Sequence, residues 1–371
     1  MKILFAGGGT AGHIFPIISV IREMKTAYPK ARLKFYFLGP KDQFAENLFA
    51  EEGVIVKKIL AGKIRRYFSV LNVLDIFKIP ISILQAFYYI FTISPDIIFS
   101  KGGYGSLPTV FAGWLLMTPI FLHESDVAPG LANKISNLFS LEVFASFPVE
   151  KTEYFPKKKI ISVGNPIRKE ILSGTKEEAA ESFGLTGEKP VVLVLGGSQG
   201  SQNINEKILE ILNDFLKNFE LIHQTGQANF TQVKSESDVV VDKNLKKYYH
   251  LFPFLNTKGL SLAYKAADLI VSRSGAGSIF EIAAEGKPSI LVPLAGSAQN
   301  HQVKNAYAYS STGAAIVIEE ANFTPHFLLE TIKKIFSNRR ETELMSKKAE
   351  EFAKPNAARI IGDYLEAYLT Q

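Results

Sequence analysis

The chain contains no cysteine. That absence removes disulfides, thiolate metal ligands and cysteine nucleophiles together, and it suits a reducing compartment. No Asp-x-Asp pair is present to hold a metal on a diphosphate, and no Gly-Lys-Ser/Thr follows a glycine-rich turn, which excludes a P-loop. No low-complexity tract or short repeat interrupts the sequence. The apolar stretch IFKIPISILQAFYYIFTISPDIIF falls short of a membrane span. Its charge-free part, 79–95, has 17 residues, and Pro80, Ser82, Gln85 and Pro95 break it. Met1 leads straight into an apolar run with no basic n-region or small-residue cleavage site, so no secretory signal is expected. Acidic residues are scarce in one place. Between 57 and 78, Lys57, Lys58, Lys63, Arg65, Arg66 and Lys78 face Asp75 alone, a net charge of +5 out of +6 for the whole chain. Such a balance fits nucleotide phosphates, nucleic acid or an anionic membrane, or simply a mildly basic enzyme.

What is present alternates. KILFA, KFYFLG, DIIFS, PIFLH and EVFAS are followed by VVLVLG, FELIHQTG, DLIVSR, SILVP and AAIVI. Several are apolar on both faces, as strands of a parallel sheet covered on both sides must be. Segments such as 128–139, 203–219 and 277–284 read as helices between them. The pattern predicts an α/β, doubly wound architecture. It also restarts: KILFAGGGTAGH opens the chain, and PVVLVLGGSQGSQN opens again at Pro190. Two such openings predict two Rossmann-like domains in tandem, with a boundary near 161–168, where ISVGNPIR ends a strand. The segment before Pro95 reads as a helix, followed by a strand. It is either a buried core helix or a helix lying on a bilayer, the latter supported by the basic run and by Tyr67, Phe68, Leu71, Leu74 and Phe77.

The glycine-rich turns let the backbone bend sharply and approach a ligand, and the helix that follows offers unpaired N–H groups to an anion. His13 falls at such a helix start. The dipole disfavours its cation there, so it is either a neutral general base or a residue that packs the turn. Further on, RSGAGSIFEIAAEGKPSILVPLAGSAQNHQVKNA (273–306) joins another small-residue turn to a helix with Glu281 one turn inside it. That carboxylate either stabilises the helix start or accepts hydrogen bonds from sugar hydroxyls. The AQNHQ run adds amides and an imidazole, a set suited to sugar hydroxyls.

In order along the chain, GGGTAGH, KGGYGS, HESDVAPGLANK, GNPIR, GGSQGSQNIN, HQTG, RSGAGSIFEIAAEGKPSILVP and NHQVKNA closely resemble the motifs of the MurG family, within glycosyltransferase family 28. The resemblance spans nearly the whole chain. It implies the GT-B fold, with two Rossmann-like doubly wound domains facing a cleft. A first domain, 1–163, would carry the acceptor and membrane contacts, and a final helix, 355–371, would pack back on it. The second domain, 164–354, would bind UDP-N-acetylglucosamine (UDP-GlcNAc). The implied activity is an inverting hexosyl transfer of N-acetylglucosamine from UDP-GlcNAc to the C4 hydroxyl of the N-acetylmuramoyl residue of lipid I (undecaprenyl-pyrophosphoryl-N-acetylmuramoyl-pentapeptide), giving lipid II in peptidoglycan synthesis. The implied partners are UDP-GlcNAc, lipid I, an anionic membrane surface at the cytoplasmic face of the cell membrane, and other cell-wall enzymes. No nucleic acid, tightly bound metal or other cofactor is expected.

Carried over by position, donor binding falls to Thr10, Ala11, Gly12, Asp126, Arg168, Ser198, Gln199, Phe254, Leu255, Ala276, Gly277, Ser278, Glu281, His301, Gln302 and Asn305. Within that set Arg168 and Ser198 would approach the pyrophosphate, the backbone at Phe254 and Leu255 the uracil, and Glu281 the ribose. His301 and Gln302 would meet the sugar, with Asn305 in support. Gly9, Tyr104 and Asn133 fall on the acceptor side. His13 is the first choice as general base and Glu124 the second. Lys63, Arg65, Arg66, Phe68, Leu71 and Phe77 would meet the membrane, with Trp114 as a neighbour. The chain departs from the family pattern at four places. Ala11 replaces a glycine, Ser125-Asp126 replaces Gln-Asn, Gly105-Ser106-Leu107-Pro108 replaces Ser-Gly-Pro, and Gly277 replaces a larger apolar residue.

Three other readings compete. A nicotinamide oxidoreductase needs an acidic residue at the end of the second strand, which here ends Phe37-Leu38-Gly39-Pro40. A membrane scaffold built on 57–91 leaves the polar set at 273–305 without a purpose. Another GT-B enzyme, such as a diacylglycerol glycosyltransferase or a sugar-nucleotide epimerase, is the nearer rival, and HQTG with HESD…PGLANK weighs against it.

Overall fold

A computed structural model describes residues 1–8, 11–62, 70–148, 154–197 and 199–370, with residues 11 and 70–76 as backbone only. Gly9, Thr10, Lys63, Arg65, Arg66, Tyr67, Phe68 and Ser198 therefore lie outside the described residues, and Ala11, Leu71 and Leu74 are placed by backbone alone. The chain divides into two compact units, Met1–Ile167 with Lys354–Gln371, and Arg168–Ala353.

The first unit runs β1 (Lys2–Ala6), α1 (Ala11–Ala27), β2 (Lys34–Gly39), α2 (Gln43–Glu51), β3 (Ile55–Lys58), α3 (Val70–Ile93), β4 (Ile97–Ser100), α4 (Leu107–Leu115), β5 (Ile120–Glu124), α5 (Leu131–Ser136), β6 (Glu142–Ala145) and β7 (Ile160–Ser162). The second runs α6 (Lys176–Phe183), β8 (Val191–Leu195), α7 (Gln202–Asn218), β9 (Glu220–Gln224), α8 (Phe230–Val240), β10 (Tyr249–Phe252), α9 (Thr257–Ala266), β11 (Leu269–Ser272), α10 (Ala276–Ala284), β12 (Ser289–Leu291), α11 (His301–Ser310), β13 (Ala315–Val317), α12 (Pro325–Ser337) and α13 (Arg339–Phe352). A last helix, α14 (Ala357–Thr370), belongs to the first unit.

Each unit holds one wholly parallel sheet, ordered β3-β2-β1-β4-β5-β6-β7 and β10-β9-β8-β11-β12-β13. Strand order reverses between β1 and β4 and again between β8 and β11, the point where an open α/β sheet leaves a crevice at its carboxyl edge. Alternate residues of one strand feed opposite layers. Phe5, Phe37, Phe99, Phe121 and Phe144 pack towards Ile17, Ile21 and Met24 of α1 and Ile361 and Leu365 of α14. Leu4, Leu38, Ile98, Leu122 and Val143 pack towards Ala86 and Ile90 of α3 and Val110 and Ala112 of α4.

The interior strands follow the apolar runs. Three strands were not among those runs, β3, β7 and β10, and all three sit at sheet edges with half-exposed side chains; only β7 had a signal, the strand end before GNPIR. The segment expected as a helix over 128–139 is helical only over Leu131–Ser136, because Pro129-Gly130 delays its start and Asn137 to Phe139 close it with tight turns. The helix before Pro95 is buried along one side and exposed along the other. Ser82, Ala86 and Ile90 are buried, while Phe77, Ile81, Leu84, Tyr88 and Phe91, spaced four and three apart, form an exposed apolar face. Among the described residues no helix is long and apolar enough to cross a membrane. The basic run is also less free than its net charge suggests: Lys58 pairs with Glu46 at 2.8 Å, and Lys57 lies over the Tyr89 ring.

Helix α14 is held by side chains with no exposure at all, Ile361 and Leu365 among them. Trp114, the single tryptophan, packs on Phe139 in the first unit and reports that unit's unfolding. Ile361→Ala leaves a cavity and is expected to cost about 2–4 kcal/mol. A urea titration followed by Trp114 fluorescence should show the lower midpoint, and an unchanged midpoint would contradict this packing.

Candidate functional site

In the first unit the loops after β1 and β4 press together at the crossover. Gly8 and Gly103 both have positive φ, and a Cβ on Gly103 would lie 2.3 Å from the Gly8 carbonyl and about 3.2 Å from the His13 ring. Only glycine permits that approach. His13 is the third residue of α1, behind Ala11 and Gly12, and its ring is partly exposed beside Gly103. Tyr104 follows on the same loop, also partly exposed.

The next strand end carries Glu124, which is buried. One carboxylate oxygen accepts the Asp126 amide at 2.9 Å and the other accepts Asn133 Nδ2 from α5 at 2.8 Å. Burial and the charge of Asp126 push the Glu124 carboxyl above its usual range. Gly102 leaves room for Asn133, whose amide a Cβ there would strike at 2.5 Å. The lysine of KGGYGS, which carries no predicted role, is also part of this cluster. Lys101 is 2% exposed, and its Nζ donates to Ser125 Oγ at 2.7 Å, which donates in turn to Asn165 Oδ1 at 2.7 Å. His123 is buried against the Gly164 carbonyl and held well below its ordinary pKa by burial and by Lys101, so it stays neutral. The structure thus gathers His13, Tyr104, Glu124, Asp126 and Asn133 at the carboxyl ends of β1, β4 and β5.

The second unit repeats the device. Gly200, at φ +80°, would place a Cβ 2.1 Å from the Thr225 carbonyl, so the loop after β8, with Gln199 exposed on it, lies against the loop after β9. After β11, Gly275 caps α10 without any side-chain hydrogen bond, and a Cβ on Gly277 would touch nothing. The first turn, Ala276, Gly277 and Ser278, therefore offers backbone donors to an open space.

Glu281, one turn inside α10, is not alone there. Its Oε1 accepts Arg168 Nη2 at 3.0 Å and its Oε2 accepts the Tyr264 hydroxyl at 3.2 Å, while Arg168 Nη1 donates to Thr257 Oγ1. The residues expected to act separately on pyrophosphate and ribose form one ion pair. Burial pushes the Tyr264 hydroxyl well above its ordinary pKa, which keeps it a donor. Leu255 differs from expectation too, because its amide already donates to Gln224 Oε1 at 3.0 Å; Phe254 beside it is exposed.

His301 opens α11 after Gln299 and Asn300, both left-handed, and its Nδ1 meets the Ala298 carbonyl at 2.7 Å. That bond leaves Nε2 as the outward nitrogen. Gln302 Oε1 accepts the Leu294 amide, and buried Asn305 donates to the Ser274 carbonyl. Two residues escaped the sequence reading. Arg273 joins Ser201 Oγ at 2.7 Å, Glu320 at 2.6 Å and the Val292 carbonyl. Gln224 ties Leu255 to the Gly197 carbonyl. The signal for both was present in RSGAGS and HQTG, where a charge or an amide ends an apolar strand.

Models of known families match both units. The N-terminal domain of glycosyltransferase family 28 matches residues 3–145 and the C-terminal domain of that family matches residues 191–360. The chain is 36% identical over 372 aligned residues to the UDP-N-acetylglucosamine--N-acetylmuramyl-(pentapeptide) pyrophosphoryl-undecaprenol N-acetylglucosamine transferase of Clostridium tetani, covering 100% of this chain and 98% of that one. A Bacillus cereus transferase of the same description is 34% identical over 91% of this chain and 92% of its own. Among solved structures, Acinetobacter baumannii MurG superposes with a TM-score of 0.76 at 23% identity, over 99% of both chains. A UDP-GlcNAc 2-epimerase from Neisseria meningitidis shares the fold, with a TM-score of 0.69 at 15% identity, over 99% of this chain and 100% of that one.

His223 of HQTG is buried inside the second unit, bonded to Tyr249 and Asn205, and burial lowers its pKa to about 3. Below the ordinary value near 6.5 the unfolded chain takes a proton that the folded chain refuses. Stability is therefore lost as pH falls from about 6.5 towards 3. Between neutral pH and about pH 4.5 this amounts to roughly 2–3 kcal/mol. His223→Gln should remove that part of the slope in urea denaturation followed by circular dichroism. An offset between the two proteins that stays constant with pH would refute it.

Proposed function

The chain belongs to glycosyltransferase family 28, and on that premise we propose that it transfers N-acetylglucosamine from UDP-GlcNAc to the C4 hydroxyl of the N-acetylmuramoyl residue of lipid I, giving lipid II for peptidoglycan. The observation that carries the donor half is the uncapped start of α10, with the Arg168–Glu281 pair one turn away. A nucleoside diphosphate needs an anion site and a ribose acceptor side by side, and this is such a pairing.

In this reading the Arg168–Ala353 unit takes the donor. The diphosphate lies at Ala276, Gly277 and Ser278 and at Ser198 and Gln199, with Arg168 alongside. The ribose meets Glu281, the uracil lies by Phe254 and Leu255, and the sugar meets His301 and Gln302, held by Asn305. The Met1–Ile167 unit takes the acceptor at Gly9, Tyr104 and the Glu124–Asn133 pair, and Thr10 to Gly12 with Asp126 face the transferred sugar.

The acceptor hydroxyl loses a proton as it attacks the anomeric carbon from the side opposite UDP, so an α-linked donor yields a β-linked product. His13 is the base. Its ring is partly exposed, whereas Glu124 is buried with both oxygens already accepting hydrogen bonds. Glu124 then holds the loop through Asp126 and Asn133. Negative charge grows on UDP as it leaves, and Arg168 and the start of α10 stabilise it without reorganisation.

The acceptor's lipid tail requires work at a bilayer surface, and α3 supplies a surface of that kind. Its exposed face carries Phe77, Ile81, Leu84, Tyr88 and Phe91, and α4, packed beside it, ends in exposed Trp114 and Leu115, with exposed Met117 just beyond. Exposed apolar side chains gathered on neighbouring helices in this way mark a contact surface. Shallow insertion of these side chains, with each nearby Lys or Arg adding about 1 kcal/mol at an anionic leaflet, gives reversible peripheral binding.

Two experiments test the reading. Radiolabel transfer from UDP-GlcNAc to a lipid I analogue should occur, and His13→Ala should lower its turnover roughly 100- to 10,000-fold with donor affinity kept. Consumption of UDP-GlcNAc without acceptor would point instead to an epimerase, and a fully active variant would dismiss His13. Separately, Leu84→Asp with Phe91→Asp should abolish binding to anionic vesicles and turnover of a long-chain acceptor, while turnover of a short-chain soluble acceptor persists. Equal loss on both acceptors would assign the helix to folding.

A further inference from the structure

Lys101 is a charged group at the crossover of the first sheet that the proposed reaction leaves without a task. It directly follows β4, is 2% exposed, and reaches Ser125 in the loop after β5. A buried ammonium is expensive unless an opposite charge and good hydrogen bonds accompany it. Burial pushes the Lys101 ammonium towards its neutral form, and two carboxylates oppose that, Glu124 at the end of β5 and Asp126 in the loop that follows. Burial and the Asp126 charge push Glu124 towards its protonated form, and Lys101 opposes that push. The other titratable neighbours are His123 of β5, neutral by burial, and His13 of α1, on the far side of Gly103. Asp126 stands where the family pattern carries an amide. The extra negative charge and the buried positive charge therefore meet in one place.

We propose that Lys101 is a positioning residue, a buried cation that balances Glu124 and Asp126 and fixes the loop through Ser125, so that Lys101 and Asp126 form a charge-matched unit exchangeable only together. The hydrogen-bond path Lys101–Ser125–Asn165 anchors that loop to the segment after β7. Losing the cation alone leaves the buried Glu124 carboxylate beside the half-buried Asp126 charge without compensation. Losing the cation and the Asp126 charge together leaves Glu124 with its amide partners and no like charge beside it.

The catalytic half of the test rests on the proposed transfer reaction, and the stability half does not. Lys101→Met should lower kcat about 10- to 100-fold with KM for UDP-GlcNAc little changed, and should move the acid limb of the pH profile up by about one unit. Adding Asp126→Asn to that variant should recover about tenfold. The melting temperature of Lys101→Met should fall below wild type at pH 8, and the deficit should be smaller at pH 5.5, because Glu124, pushed up by burial and by Asp126, takes up its proton on acidification. The double variant should lose that pH dependence. A deficit equal at both pH values, or a double variant no better than Lys101→Met, would overturn the proposal. If Lys101→Met does not fold, the double variant must fold; its failure would also overturn it. Absence of sugar transfer by the wild-type protein would reject the reaction and leave the melting experiment to decide Lys101.

Discussion

A parallel sheet whose strand order reverses must leave a gap at its carboxyl edge, because the connections on either side of the reversal depart in opposite directions. This protein has that reversal twice, at β1/β4 and at β8/β11, and its polar machinery sits around both. The gap is useful only if the loops bordering it come close. In the first unit Gly103 lies on the Gly8 carbonyl, and in the second Gly200 lies on Thr225, at distances no side chain would allow. Those contacts set the starts of α1 and α7, and with them His13 and the glycine loop after β8.

Charge near these gaps is matched inside the protein. Arg168 pairs with Glu281 and Arg273 with Glu320, while the charges of Glu124 and Asp126 support the buried Lys101 ammonium. Breaking such a partly buried pair by removing one member costs several kcal/mol, because the remaining charge cannot reach water. Exposed pairs such as Lys217–Asp214 and Arg339–Glu343 lie in solvent and contribute little to the fold. The matched pairs also preorganise the site. Arg168 and Glu281 hold each other in place, so a ligand meets fixed groups and not two flexible side chains.

Helix α3 combines two demands in one sequence. Its inward positions, Ser82, Ala86 and Ile90, are small or branched and close the layer over β4 and β5. Its outward positions are large and apolar where a solvated helix would carry charge. A hydrophobic stretch that cannot span a bilayer can still lie on one, provided the opposite face has a protein core to pack against.

The local pattern alone marked much of this fold. Runs apolar on both faces became the interior strands, since burial on both sides is written into consecutive residues. The edges β3 and β10 were silent because half-exposed strands carry mixed side chains. Motif glycines located the loops, and the 273–306 stretch located the start of α10, since turn chemistry is also local. What only the tertiary structure decided is who bonds to whom. Arg168 meets Glu281 across 113 residues of sequence, Lys101 meets Ser125 across 24, and Gln224 occupies the Leu255 amide across 31. Periodicity reports which face of an element is buried. Pairing depends on which strand ends the topology sets side by side, and on how closely glycine lets their loops approach.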